Sequence, residues 1–140
     1  MTDADLVEKK LAFVETCLSE LRRLARSELL EQDVRERRFV EHTLQLAIQA
    51  CLDVASHITS HDRLGEPTSN QQLFEQLALA GWISQDVADV MRAAAGFRNV
   101  LVHGYTSVDT AVTRDVLDHH LGDLQQFVDA IRVRMVLARP

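Results

Sequence analysis

Apolar residues recur along the first thirty positions at alternating intervals of four and three: Val7, Leu11, Val14, Leu18, Leu21 and Ala25. That spacing lays one apolar stripe along a helix and predicts a helix over residues 3 to 30. Asp33, followed three residues later by Glu36, has the form of a capping box and opens a second helix running to about His61. Phe39, Leu46, Ala50, Val54 and Ile58 form its expected inward stripe. The segment 62–67, with Gly65 and Pro67, is a loop. Ser69 with Gln72 opens a short helix through Leu73, Leu77 and Ala80, and Gly81 suits the left-handed position that ends it. Ser84 caps a fourth helix with Val87, Val90, Met91, Ala94, Phe97 and Leu101 inward, stopping near His103 and Gly104. Asp109 or Thr110 starts the last helix, where Leu117, Leu121, Leu124, Val128, Ile131 and Met135 keep the four-three rhythm. No strand-like alternation of useful length occurs. The expectation is an all-α antiparallel bundle of about four long helices and one short one, forming a single domain over residues 1–140.

Composition agrees with this picture. The 140 residues are 46% hydrophobic and 26% charged, with five glycines and two prolines, so long stretches run without a breaker. No apolar run reaches the roughly 18 residues a membrane span requires. The start, Met1 to Asp5, is acidic and lacks the basic and apolar regions of a secretory signal, so a cytoplasmic location is expected. Cys17 and Cys51 both fall in helix-patterned segments without close spacing, which favours buried free thiols over a disulfide or a metal site. His42, His61, His119 and His120 read as surface residues. Adjacent positions on a helix diverge in direction, so His119 and His120 are not a metal motif.

The net charge of −6 argues against a protein that lives by non-specific nucleic-acid binding, because phosphate contacts dominate that kind of affinity. Any action on RNA must be local. The densest basic cluster is Arg22, Arg23, Arg26, Arg35, Arg37 and Arg38. Glu28, Glu31, Asp33 and Glu36 dilute it to a net of +2, and it reads as a solvated surface at a helix junction.

The chemically informative stretch runs from Phe97 to Tyr105. Arg98 follows Ala94 by four and Met91 by seven, so it sits on or beside the apolar stripe of its helix. A cation there must be paired, reach solvent or line a cleft. His103 lies five residues on, about 140° round an ideal helix. A positive φ at Gly104 would end the helix there and let the guanidinium approach the imidazole. Arginine supplies a permanent fork that matches a phosphate, and histidine takes or gives a proton near neutral pH. Together they suffice to cleave an RNA backbone without a metal or any other cofactor. The imidazole serves the ribose 2′-hydroxyl or the leaving oxygen, and the arginine stabilises phosphoryl charge. Tyr105 is placed to position RNA. Taken alone, an arginine and a histidine at this spacing are weakly specific, and both are equally compatible with a snorkelling cation and a helix-terminal histidine.

Arg98-x-x-x-x-His103-x-Tyr105 resembles the Arg-x4-His-x-Tyr signature of HepT-like toxins in the HEPN superfamily. Phe97-Arg98-Asn99 and the upstream helix from Leu46 to Ile58 resemble the same family, and the likeness covers nearly the whole chain. Gly104 occupies a position the family leaves variable. The resemblance implies a HEPN-like helical bundle that pairs as a homodimer, with Arg98 and His103 of both subunits facing one cleft as catalytic residues for RNA. Two copies of His103 would then divide the acid and base roles. It also implies a partner, an MntA-like nucleotidyltransferase antitoxin, which uses ATP and Mg²⁺ to transfer AMP onto Tyr105. Bulky anionic nucleotides beside Arg98 would block the cleft. Asn99 belongs to the matched segment as a supporting residue. Gln45, Gln49 and Asp53 share a stripe on the second helix. That stripe suits a dimer seam or cleft wall, with Asp53 orienting Arg98 or His103, and equally an ordinary solvated face with Asp53 and His57 as a local pair. The alternative to a nuclease is a non-catalytic HEPN binding module, the helical partner subunit of a nucleotidyltransferase, because fold alone does not fix function.

Overall fold

The computed structural model describes residues 3–104 and 108–137. Helix α1 spans Ala4–Leu24 and is capped by Asp3, whose carboxylate accepts the N–H groups of Asp5 and Leu6. It ends six residues earlier than the hydrophobic stripe predicts. Backbone groups that a longer helix would pair are taken by side chains. Glu36 accepts the Arg26 N–H at 3.0 Å, and Arg114 donates to the Ser27 carbonyl at 3.1 Å. A single 3-10 turn, Ser27–Leu29, then delivers Leu30 into the core.

Helix α2, Val34–His61, is the spine of the fold, and its N-cap is Asp33 as the sequence predicts. It packs against α1, α3, α4, α5 and α6. This explains why twelve of its residues are buried over several faces and not along a single stripe. Ala47, Ile48, Ala50 and Cys51 occupy the inward positions, while Leu46, expected in the core, is 37% exposed. Helix α3, Asn70–Leu79, starts at Ser69 and ends before Gly81, whose φ of +82° is the predicted left-handed stop. Helix α4, Gln85–His103, is capped by Ser84.

The expected last helix is two helices, α5, Thr110–His119, and α6, Leu121–Leu137. The break falls at His120, whose ring nitrogens bridge Asp123 at 2.8 Å and Asp115 at 3.1 Å across the bend. The four-three rhythm survives because Leu117 and Leu121 are both buried on either side of it.

One apolar cluster collects side chains from α1 to α6. Phe74 and Phe127 meet edge-to-face at its centre, with ring centroids 5.6 Å apart. Helix α1 runs antiparallel to α2. Its start meets the end of α2 through Asp3 N–H and His57 Nε2, and its end meets the start of α2 near Glu36. Helix α4 also runs antiparallel to α2, so that Val90 and Phe97 face Ile48 while Leu101 faces the segment from Phe39 to Gln45. Arg132 on α6 ties back to Glu8 and Glu15 on α1. Among the described residues no helix is long and apolar enough to cross a membrane.

Candidate active site

The end of α4 is built from a buried anchor and a solvent-facing tip. Phe97 is buried and holds the helix to the core. Arg98, the next residue, is half-buried, and its Nη1 donates to the Asn99 side-chain oxygen at 3.2 Å. Its Nε is buried without a hydrogen-bond partner. Among the described residues no carboxylate pairs with it, in contrast to Lys10, Arg92, Arg114 and Arg132, each of which sits in an ion pair. A half-buried guanidinium with an unsatisfied N–H is costly unless an anion completes it.

His103 is the last residue of α4 and is exposed. The route expected from the sequence for joining it to Arg98 is not the one the chain takes. Gly104 has φ −96°, not a positive value, and donates its N–H to the Val100 carbonyl at 2.7 Å, so the helix continues regularly through His103. The arginine and the histidine therefore keep the angular separation of a regular helix, about 140°. No hydrogen bond joins them within one chain. Gly104 is required for a different reason. A Cβ at this position would stand 2.6 Å from the Val100 carbonyl oxygen, so the tight last turn has no room for a side chain. Tyr105 lies outside the described residues.

Asn99 is thus brought to Arg98, whereas Asp53 is not. The Asp53 carboxylate accepts from Gln49 Nε2 at 2.8 Å and from Lys10 Nζ at 3.1 Å, facing α1. It does not pair with His57, whose Nε2 accepts the Asp3 N–H and whose ring lies tilted against that of His61, with centroids 4.1 Å apart. Burial, the largest influence, lowers the His57 pKa. Gln45 and Gln49 are half-buried, and Gln49 Oε1 is buried without a partner. Cys17 and Cys51 are buried free thiols, and loss of water pushes the Cys17 pKa up to about 11 and that of Cys51 higher still. His42, His61, His119 and His120 are exposed as expected. Among the described residues, no three His, Cys, Asp or Glu side chains stand together as a metal-ligand set.

Sequence reading missed a groove of about 500 Å³ beside this site. Arg38, His42 and Gln45 from α2 line it, together with Leu101 from α4, between Arg98 and His103 in sequence. The 3, 4, 3 spacing of Arg35, Arg38, His42 and Gln45 was the available signal.

Residues 14–131 match the family model described as Ribonuclease HepT-like. The chain is 31% identical over 129 residues to the mRNA nuclease HepT of Shewanella oneidensis, covering 91% of this chain and 97% of that protein. It is 26% identical over 106 residues to the tRNA nuclease HepT of Aphanizomenon flos-aquae, covering 74% of this chain and 72% of that protein. Its fold superimposes on the tri-AMPylated Shewanella oneidensis HEPN toxin in complex with MNT antitoxin. That match has a TM-score of 0.86 and 30% identity, and covers 94% of this chain and 99% of the other.

Proposed function

The chain belongs to the HepT-like ribonuclease family, and from that premise we propose that it is a metal-independent RNA endonuclease, the toxin of a toxin–antitoxin pair, with Arg98 and His103 as its catalytic residues. The observation that carries the reading is the Arg98 guanidinium, half-buried, paired with no carboxylate among the described residues and with an orphaned Nε, about 1.4 helical turns before an exposed histidine. Such a group is poised for an anion, and the anion that a neighbouring imidazole can process is a phosphodiester.

In the proposed reaction His103 removes the proton of a ribose 2′-hydroxyl, and the 2′-oxygen attacks the adjacent phosphorus. The bond from phosphorus to the 5′-oxygen breaks, and that oxygen takes a proton from an imidazolium. The products are a 2′,3′-cyclic phosphate and a 5′-hydroxyl. Arg98 stabilises the charge on the non-bridging oxygens of the transition state.

One chain presents its arginine and its histidine on divergent faces, which supports a homodimer in which both copies contribute to one cleft. Leu46 and Val100, 37% and 47% exposed on α2 and α4, supply apolar surface for that contact. Two copies of His103 then hold the base and acid roles separately. The same reading places residues 1–140 as one domain, supported by the shared core. It also places the protein in the cytoplasm, supported by its two free thiols.

Control falls to an MntA-like nucleotidyltransferase partner. The Tyr105 oxygen attacks the α-phosphorus of ATP, and pyrophosphate leaves. The AMP then fills the cleft and competes for Arg98. Support comes from the Shewanella oneidensis relative, described as tri-AMPylated and in complex with MNT antitoxin. Tyr105→Phe is expected to resist labelling by such a partner. Label retained on that variant would put the modified residue elsewhere.

The deciding experiment is RNA cleavage by the purified, unmodified protein in excess EDTA, beside His103→Ala prepared identically. Cleavage by the wild type alone, with circular dichroism unchanged in the variant, is the expected result. Absence of cleavage by both, with Tyr105 verified as unmodified by mass spectrometry, would move the assignment to a binding module.

A further inference from the structure

We propose that the arginine-bearing start of α2, continued by the groove of Arg38, His42 and Gln45, is a docking track for the single-stranded RNA that flanks the cleavage point. The proposal rests on the ribonuclease reading above and names how that site holds its substrate.

The charges of this protein are not spread evenly. Four cations elsewhere are neutralised by neighbours: Lys10 by Asp53, Arg92 by Glu75, Arg114 by Glu31, Arg132 by Glu8 and Glu15. Arg22, Arg23, Arg26, Arg35, Arg37 and Arg38 lie at one end of the bundle, and among the described residues none of them enters an ion pair. Among the described residues Arg23 reaches only the Ser19 hydroxyl and Arg37 only the Leu30 carbonyl. Three of the four carboxylates that dilute this cluster in the sequence are committed to other tasks. Asp33 holds the Arg35 and Glu36 N–H groups, Glu36 holds the Arg26 N–H, and Glu31 holds Arg114. The start of a 28-residue helix adds its own partial positive charge at the same end.

The direction of the patch matters as much as its sign. Arg35, Arg38, His42 and Gln45 occupy one face of α2, descending about 15 Å along it. Because α4 runs antiparallel to α2, that face descends toward the end of α4. Leu101 closes the groove there, three residues after Arg98 and two before His103. A strand with its phosphates on Arg35 and Arg38 is thereby led to the catalytic pair. Glu41 on the groove wall bars anions from straying off the arginine side. An overall acidic protein thus gains a local hold on a polyanion, and the hold is electrostatic and sequence-tolerant.

The test is binding of a 5′-labelled, mixed-sequence single-stranded RNA by fluorescence anisotropy in the non-cleaving His103→Ala background. The double variant Arg35→Ala, Arg38→Ala is expected to bind at least about tenfold more weakly near 0.1 M salt. Its slope of log affinity against log salt should shrink by about 1.4, two lost phosphate contacts on a single strand. Arg35→Lys with Arg38→Lys should keep most of the slope, which guards against a folding artefact. Lys9→Ala, a cation without a partner among the described residues near the start of α1, should leave both quantities unchanged. With His103 restored, the alanine pair should raise KM and spare kcat.

Unchanged affinity and slope in the double variant, beside a wild type that binds and cuts RNA, would overturn the track and leave the nuclease reading intact. An equal loss in Lys9→Ala would overturn it in favour of a diffuse field. Normal RNA binding combined with lost capture of the nucleotidyltransferase would overturn it in favour of a protein interface. A wild type that neither binds nor cuts RNA would remove the nuclease reading and the track together.

Discussion

Arg98 and Asn99 show how neighbouring residues divide labour at a helix end. The guanidinium can rotate about a long flexible stem, and its Nη1 is held by the Asn99 oxygen at 3.2 Å. The bond leaves Nε buried and without a partner, so in the proposed reaction the stem must turn to offer that N–H to a substrate oxygen. Asn99→Ala is expected to lower kcat about tenfold, the worth of one hydrogen bond to a charged group, and Asn99→Asp, which puts a competing carboxylate on the guanidinium, to weaken RNA binding as well. Equal rates for wild type and Asn99→Ala, measured by single-turnover cleavage, would show that Asn99 does not place Arg98. His103 depends on a residue without a side chain. The close approach of Gly104 to the Val100 carbonyl lets α4 run its full length and deliver the imidazole at its tip.

At the scale of elements, the break between α5 and α6 is the feature with a titratable centre. The hydrogen bond to the Asp123 carboxylate, with Asp115 on the other ring nitrogen, raises the His120 pKa above its ordinary value. A raised folded-state value means that protonation stabilises the fold. The stabilisation is complete below the unfolded value of about 6.5 and fades as pH climbs through the raised folded value. His120 is about half exposed, so solvent screening holds the effect to about 1 kcal/mol or less. Thermal melts of His120→Gln should therefore fall below wild type at pH 5.5 and converge with it at pH 8.5. A gap that is constant across pH would mean that the ring acts through packing alone.

For the whole molecule, the decisive question is how Arg98 and His103 meet when one helix points them apart. A second copy is the proposed answer, with Leu46 and Val100 on the seam. Leu46→Glu should sediment near the 15.8 kDa of one chain where the wild type sediments near twice that mass, and it should lose cleavage at the same time. A monomeric variant that still cuts RNA would place a complete site in one chain. A fully cleaving dimer would put the seam elsewhere.

The order of the first four helices, their caps at Asp33, Ser69 and Ser84, and the stop at Gly81 follow from local rules that act within a few residues and were legible in the sequence, as was a start at Asp109 or Thr110, whereas the break at His120 was not. The motif from Arg98 to Tyr105 was legible for the same reason, since it is contiguous. Three features depended on partners distant in the chain. The early end of α1 needed Glu36 and Arg114, the exposure of Leu46 needed the other helices to claim the remaining faces of α2, and the loneliness of Arg35 and Arg38 needed Asp33, Glu36 and Glu31 to be engaged elsewhere. Periodicity states which residues share a face. Only packing states which face is already taken, because burial and charge pairing are properties of surfaces that distant segments build together.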